Sequence, residues 1–130
     1  MSVGILLLSH AGLGSALVGA ARGVVGALSL RVEAVEFANG DDPAAYAHRA
    51  ARAMRELDAG DGVLLLVDLY GSTPSNVAAD IGRQGTRTRR VSGLNLPMLL
   101  RVLNYPEQAL DDLAATAASG GRTGVVVDSA

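Results

Sequence analysis

Apolar positions along this chain fall into two kinds of run, and their alternation predicts the architecture. Val3-Gly4-Ile5-Leu6-Leu7-Leu8-Ser9 and Gly62-Val63-Leu64-Leu65-Leu66-Val67 are short and continuous. They are too short for membrane spans, and their unbroken hydrophobicity marks strands buried on both faces. Alanine-rich stretches with apolar residues at helical spacing lie between such runs. The pattern places strands at 3–9, 31–37, 62–69, 88–92 and 123–128, and helices at 14–28, 43–58, 74–84, 96–104 and 106–119. Among the strands, 88–92 is the most polar, since it opens on Thr88-Arg89-Arg90. The order βαβαβαβααβ predicts an α/β fold. Its core is a single doubly wound, mostly parallel five-stranded sheet with helices on both faces and right-handed crossovers, the last strand lying at an edge.

Turn and cap residues agree with this parse. Pro43, Pro74, Pro97 and Pro106 each fall in the first turn of a predicted helix, where a missing N–H costs nothing. Asp42 and Thr73 are the expected N-caps before two of them. The stretch 114–119 reads as a helix end ahead of Gly120-Gly121. No internal repeat interrupts the chain, and residues 1–130 are read as one domain.

Composition narrows the function. With 130 residues, 49% of them hydrophobic, the chain can bury a core unaided. It has no cysteine, which excludes thiol chemistry and fits a reducing cytosol. No basic region precedes the first apolar run, so that run is not read as a signal peptide, and a soluble, cytoplasmic protein is expected. A formal charge of -2 and 3% aromatic residues argue against nucleic acid as a partner. All eleven basic residues are arginines. The missing lysine excludes a P-loop, a Schiff base and the protein-kinase mechanism. Two histidines without cysteine make no zinc site, and no cofactor is expected. His48, among Arg49, Arg52 and Arg55 in a polar helix, reads as a solvated surface residue.

Two polar residues then stand out. His10 follows the first strand and Asp68 follows the third. The carboxyl ends of strands in an open parallel sheet are where ligands bind, so neighbouring strands would bring these two into a His-Asp pair. After Asp68 comes Leu69-Tyr70-Gly71-Ser72-Thr73-Pro74-Ser75-Asn76, a flexible turn with hydroxyls leading into a proline-initiated helix. The unpaired N–H groups at such a helix start suit a phosphoryl group, with Ser72 and Thr73 adding donors. Taken alone, each residue has a plainer role. Thr73 could simply cap its helix, Ser72 could turn the chain, and His10 could satisfy a backbone carbonyl at a loop entry. Their conjunction on one sheet edge is what points to chemistry.

These residues also carry a family resemblance. Ser9-His10-Ala11-Gly12, Val67 to Asn76, and Ser92-Gly93-Leu94-Asn95-Leu96-Pro97-Met98-Leu99 together resemble the mannose-family IIA component of the bacterial phosphoenolpyruvate-dependent sugar phosphotransferase system. The resemblance implies that His10 is phosphorylated by the phosphohistidine carrier protein and passes the group to a histidine of the IIB component. It further implies that Asp68 orients His10, and that Gly71, Ser72 and Thr73 hold the phosphate. A homodimer is implied as well, with a last strand, here 123–128, able to exchange between subunits. The chain differs from the usual family pattern in having Ser9-His10-Ala11 for Thr-His-Gly, and one glycine, Gly71, before Ser72. Because the sequence stops at Ala130, the IIB acceptor is expected on a separate chain, with the membrane reached only through the transporter complex.

Other readings fit less well. A receiver domain needs an acidic pair after the first strand and a lysine near the last, where this chain has His10 and no lysine. A dinucleotide fingerprint at Gly12-Leu13-Gly14 meets Leu17 at its third glycine position. The phosphoryl carrier of dihydroxyacetone kinase shares the implied fold and histidine but lacks the Gly-Ser-Thr-Pro-Ser-Asn pattern. A regulatory protein of a truncated phosphotransferase system, read out by its phosphorylation state, stays open as an alternative.

Overall fold

In a computed structural model describing residues 2–129, four strands and five helices alternate. They are β1 (Gly4–His10), α1 (Leu13–Val25), β2 (Val32–Phe37), α2 (Pro43–Leu57), β3 (Val63–Val67), α3 (Thr73–Ile81), β4 (Thr88–Ser92), α4 (Leu96–Leu103) and α5 (Leu110–Thr123). The strands form one parallel sheet in the order β2-β1-β3-β4. From β1 the chain steps outward to β2, then returns past β1 to β3. The divergence between β1 and β3 is therefore the topological switch point, the crevice where open α/β sheets bind ligands.

The central strands are apolar on both faces because both faces are covered. Ile5, Leu7, Leu64 and Leu66 pack with Ala21 of α1, Met98, Leu99 and Val102 of α4, and Leu110, Leu113 and Ala117 of α5. Leu6, Leu8, Leu65 and Val67 pack on the opposite face with Tyr46, Ala50 and Met54 of α2 and Val77, Ala78 and Ile81 of α3. All eight strand residues are essentially inaccessible to solvent. The outer strand β4 instead exposes Arg89 and Arg90, and charge on an edge strand discourages pairing with stray chains. Its arginines are thus compatible with a strand, and 88–92 forms as the sequence indicates.

The expected fifth strand, by contrast, does not form. The sheet has four strands, α5 continues to Thr123, and residues 124–129 make no ladder. Val125, Val126 and Val127 have strand propensity but no strand beside them, and all three are exposed. Gly120 and Gly121 do not end the helix, because α4 approaches α5 at that point. A Cβ on Gly120 would lie 2.5 Å from the Arg101 Cβ, and one on Gly121 2.8 Å from the Met98 Cε. The glycines serve this close approach rather than a cap.

Helix ends shift elsewhere too. α5 starts at Leu110 instead of 106, because Pro106 lies in a turn closed by the Gln108 N–H on the Tyr105 carbonyl, 3.1 Å. α1 stops at Val25, where Gly26 takes a positive φ of 78°. Asp42 caps α2 through the Ala44 N–H, as expected. The cap of α3 is Ser72, and Thr73 is the first helical residue.

Candidate functional site

Parallel pairing of β1 with β3 puts Leu8 beside Val67, so the next residues on each strand emerge together at the carboxyl edge. The Asp68 N–H donates to the Leu8 carbonyl at 3.2 Å, holding the two strand ends together. Asp68 Oδ2 accepts two bonds from one residue, from the His10 backbone N–H at 2.9 Å and at His10 Nδ1 at 2.8 Å. An ionised carboxylate only accepts, so Nδ1 carries the proton and the lone pair lies on Nε2. Asp68 is nearly buried, with a side-chain exposure of 7%, against 47% for His10. Its second oxygen, Oδ1, is buried with no hydrogen-bond partner among the described residues. The carboxylate is therefore spent on His10 alone, and the half-exposed imidazole is held at Nδ1.

Smaller residues fix the loop after His10. Ser9 Oγ accepts the Gly14 N–H at 2.9 Å and donates to the His10 carbonyl at 2.9 Å. Gly14 is buried, and a Cβ there would lie 2.9 Å from that hydroxyl, so the position suits glycine. Gly12 turns the chain into α1 with φ 88°, which a glycine adopts without strain. Glu36, in register with Ser9 across β1 and β2, reaches over to α1. It accepts the Gly12 N–H at 3.0 Å, the Ser15 N–H at 2.8 Å and the Ser15 hydroxyl at 2.7 Å. These bonds, the Ser15 N–H foremost and then the Gly12 N–H, hold the Glu36 carboxyl below its usual range. Sequence reasoning missed this residue. Its only signal was an acid at a strand's carboxyl end, and its partners depend on the β1–β2 register.

On the other side of Asp68, Gly71 turns the chain with φ 85°. Ser72 Oγ donates to the Leu69 carbonyl at 2.6 Å and accepts weakly from the Ser75 N–H at 3.5 Å. Thr73 is half-buried and spends neither its hydroxyl nor its N–H on a partner among the described residues. Asp68, Gly71, Ser72 and Thr73 thus lie on one connection leading into the start of α3, beside His10. His48 is exposed on α2 and takes no part. Among the described residues no group of acidic and histidine side chains could hold a metal ion, and no helix is long and apolar enough to cross a membrane.

The site thus sets a carboxylate-held imidazole at the switch point of a doubly wound sheet, on the same edge as the start of α3. Comparison with known proteins gives this site a family. Residues 4–118 match the family model described as the PTS system fructose IIA component, and the chain belongs to this EIIA-man family of phosphoryl-carrier components. It is 37% identical over 81 residues to the fructose-specific EIIA component of Bacillus subtilis (strain 168), covering 62% of this chain and 56% of that protein. It is 31% identical over 93 residues to the mannose-specific EIIAB component of Escherichia coli (strain K12), covering 70% of this chain and 29% of that protein. The chain thus spans about half the length of the first relative and under a third of the second. The solved mannose/sorbose-specific IIA subunit from Enterococcus faecalis is similar throughout, with a TM-score of 0.89 and 28% identity, covering 100% of this chain and 97% of that one.

Proposed function

We propose that this protein carries a phosphoryl group on His10, accepting it from the phosphohistidine carrier protein and passing it to a histidine of a IIB component. The observation that carries this reading is the double contact of His10 N and Nδ1 with Asp68 Oδ2, which leaves Nε2 of a half-exposed ring unbound by the carboxylate. In the first step Nε2 attacks phosphorus while the N–P bond to the donor imidazole breaks, its electron pair returning to the donor nitrogen. The His10 ring becomes cationic, and Asp68 stabilises that charge and fixes the tautomer, as the acid of a hydrolase triad does. The start of α3, with the Thr73 N–H and hydroxyl and the turn at Gly71 and Ser72, offsets the charge of the moving group. Exposed Leu13, at the start of α1, and exposed Leu69 and Tyr70, on the connection after Asp68, offer a protein partner an apolar rim.

The test is phosphoryl uptake. With phosphoenolpyruvate, the first enzyme of the system and the carrier protein, the chain is expected to gain one acid-labile phosphoryl group. His48→Ala should label normally, whereas His10→Ala should not label. Phosphate retained by the His10 variant, or an acid-stable adduct, contradicts the assignment.

The same reading includes a homodimer. Among the described residues the outer edge of β4 carries no neighbouring strand, and Val125, first of the exposed Val125-Val126-Val127 segment, lines the hollow beside Arg90, Ser92 and Asn95. Covering that edge across a two-fold axis removes unpaired backbone and exposed apolar surface together. Light scattering at micromolar concentration should give twice the 13.2 kDa chain mass, and deletion of 124–130 should lower it. A monomeric intact chain refutes the dimer.

A further inference from the structure

His10 lies between two helix starts that are not equivalent. α3 begins with an unspent Thr73 N–H and hydroxyl, whereas the start of α1 is filled by the Glu36 carboxylate, which takes the Gly12 and Ser15 N–H groups and the Ser15 hydroxyl. Helix N-termini attract anions, and a carboxylate seated on one cancels that attraction and adds a fixed negative charge. Glu36 could have been an ordinary cap, but three features set it apart. It comes from another strand, β2, rather than from the residue before the helix; its backbone lies opposite Ser9 in the β1–β2 register; and the turn it grips begins directly after His10.

We propose that Glu36 is a positioning and tuning residue for phosphoryl transfer. It closes the α1 side of the site to the phosphoryl group, directs that group to the α3 side, and by its charge keeps phospho-His10 ready to give the group up. This rests on the carrier reading above and adds to it. A carrier that bound its phosphoryl group as tightly as two open helix starts allow would accept it readily and pass it on poorly. A negative charge beside a dianionic group raises the energy of the loaded state without touching the nucleophile. The bonds from Ser15 and Gly12 keep Glu36 ionised at neutral pH, so the charge is present when the protein works.

Charge and scaffold are told apart by comparing two substitutions. Glu36→Gln removes the charge and, with one acceptor oxygen, sets its NH2 against either the Gly12 or the Ser15 N–H, whereas Glu36→Asp keeps the charge but draws the carboxylate back from the α1 donors. Phosphorylated carrier protein, freed of phosphoenolpyruvate and of the first enzyme, is mixed with each form, and the partition of phosphate at equilibrium is read by intact mass. Asp112→Asn, on the exposed first turn of α5, controls for loss of one negative charge remote from the site. Glu36→Gln is expected to shift the partition toward phospho-His10 several-fold, an effect that shrinks as salt is raised. Asp112→Asn should partition like the parent chain, and Glu36→Asp, which keeps the charge, should shift the partition clearly less than Glu36→Gln. Circular dichroism confirms that each form is folded.

If Glu36→Gln leaves the partition unchanged, the tuning role fails while the carrier reading stands. If Glu36→Asp shifts it as far as Glu36→Gln does, the residue acts only as a scaffold, and the proposal fails in the same way. A parent chain that takes no phosphate from the carrier overturns both readings.

Discussion

Asp68→Asn is expected to slow phosphoryl uptake by on the order of 10³- to 10⁴-fold while leaving the fold intact, the scale seen when the acid of a hydrolase triad is replaced by its amide. The geometry gives the reason. Asp68 Oδ2 receives both the His10 N–H and the Nδ1 proton, and Oδ1 has no partner among the described residues. An asparagine placing its oxygen at the Oδ2 position puts an amide NH2 where no acceptor waits. Turned the other way, it sets NH2 against the His10 N–H and favours the tautomer protonated at Nε2, which has no lone pair to attack with. Neither orientation supplies charge for the ring that becomes cationic. Stopped-flow transfer from phosphorylated carrier protein, with circular dichroism as a control, measures the effect. A rate within tenfold of the parent would mean that Asp68 is not the residue that holds the imidazole.

The largest effect on stability is expected at Tyr46. This residue is fully buried in α2, packs edge-to-face on Phe37 with centroids 5.3 Å apart, and donates its hydroxyl to the Val35 carbonyl at 2.9 Å. Tyr46→Ala should cost about 3–5 kcal/mol in transfer and cavity terms. Tyr46→Phe should cost about 0.5–1.5 kcal/mol, the net worth of the hydroxyl's one hydrogen bond. Burial, and then the nearby Asp68 charge, push the Tyr46 hydroxyl well above its ordinary value of 10.0. Below that ordinary value both folded and unfolded chains hold the proton, and stability is unaffected. As pH rises past it, the unfolded chain releases the proton first, so stability falls. Urea melts at pH 7 and at about pH 11 should therefore show an alkaline loss that Tyr46→Phe reduces. An equal loss in both forms would dissociate Tyr46 from the alkaline limb.

How much of this was legible in the sequence depends on whether a feature is set locally. Continuous apolar runs identified β1 and β3 because burial on both faces leaves no alternation to read, and prolines marked the starts of α2, α3 and α4. The pairing of His10 with Asp68 followed once the two strands were taken as neighbours. Features that depend on what lies alongside were not legible. Val125-Val126-Val127 looks like a strand in any window, yet a strand needs a partner, and the described chain supplies none. Gly120-Gly121 looks like a helix stop, yet α4 packs against it. Ser72 and Thr73 are both good caps, and the turn at Gly71 decides between them. Glu36 was invisible as a site residue because its three donors lie on a helix that precedes it in the chain.

The order in which the elements leave the ribosome gives the four-stranded sheet a further meaning. All strands, and both His10 and Asp68, have been synthesised once Ser92 is made, but the face of Ile5, Leu7, Leu64 and Leu66 still awaits α4 and α5. A chain of that length contains both reacting groups but lacks the helices that cover one face of its central strands. The last third of the sequence adds little to the reacting groups and supplies the apolar cover that makes their arrangement last.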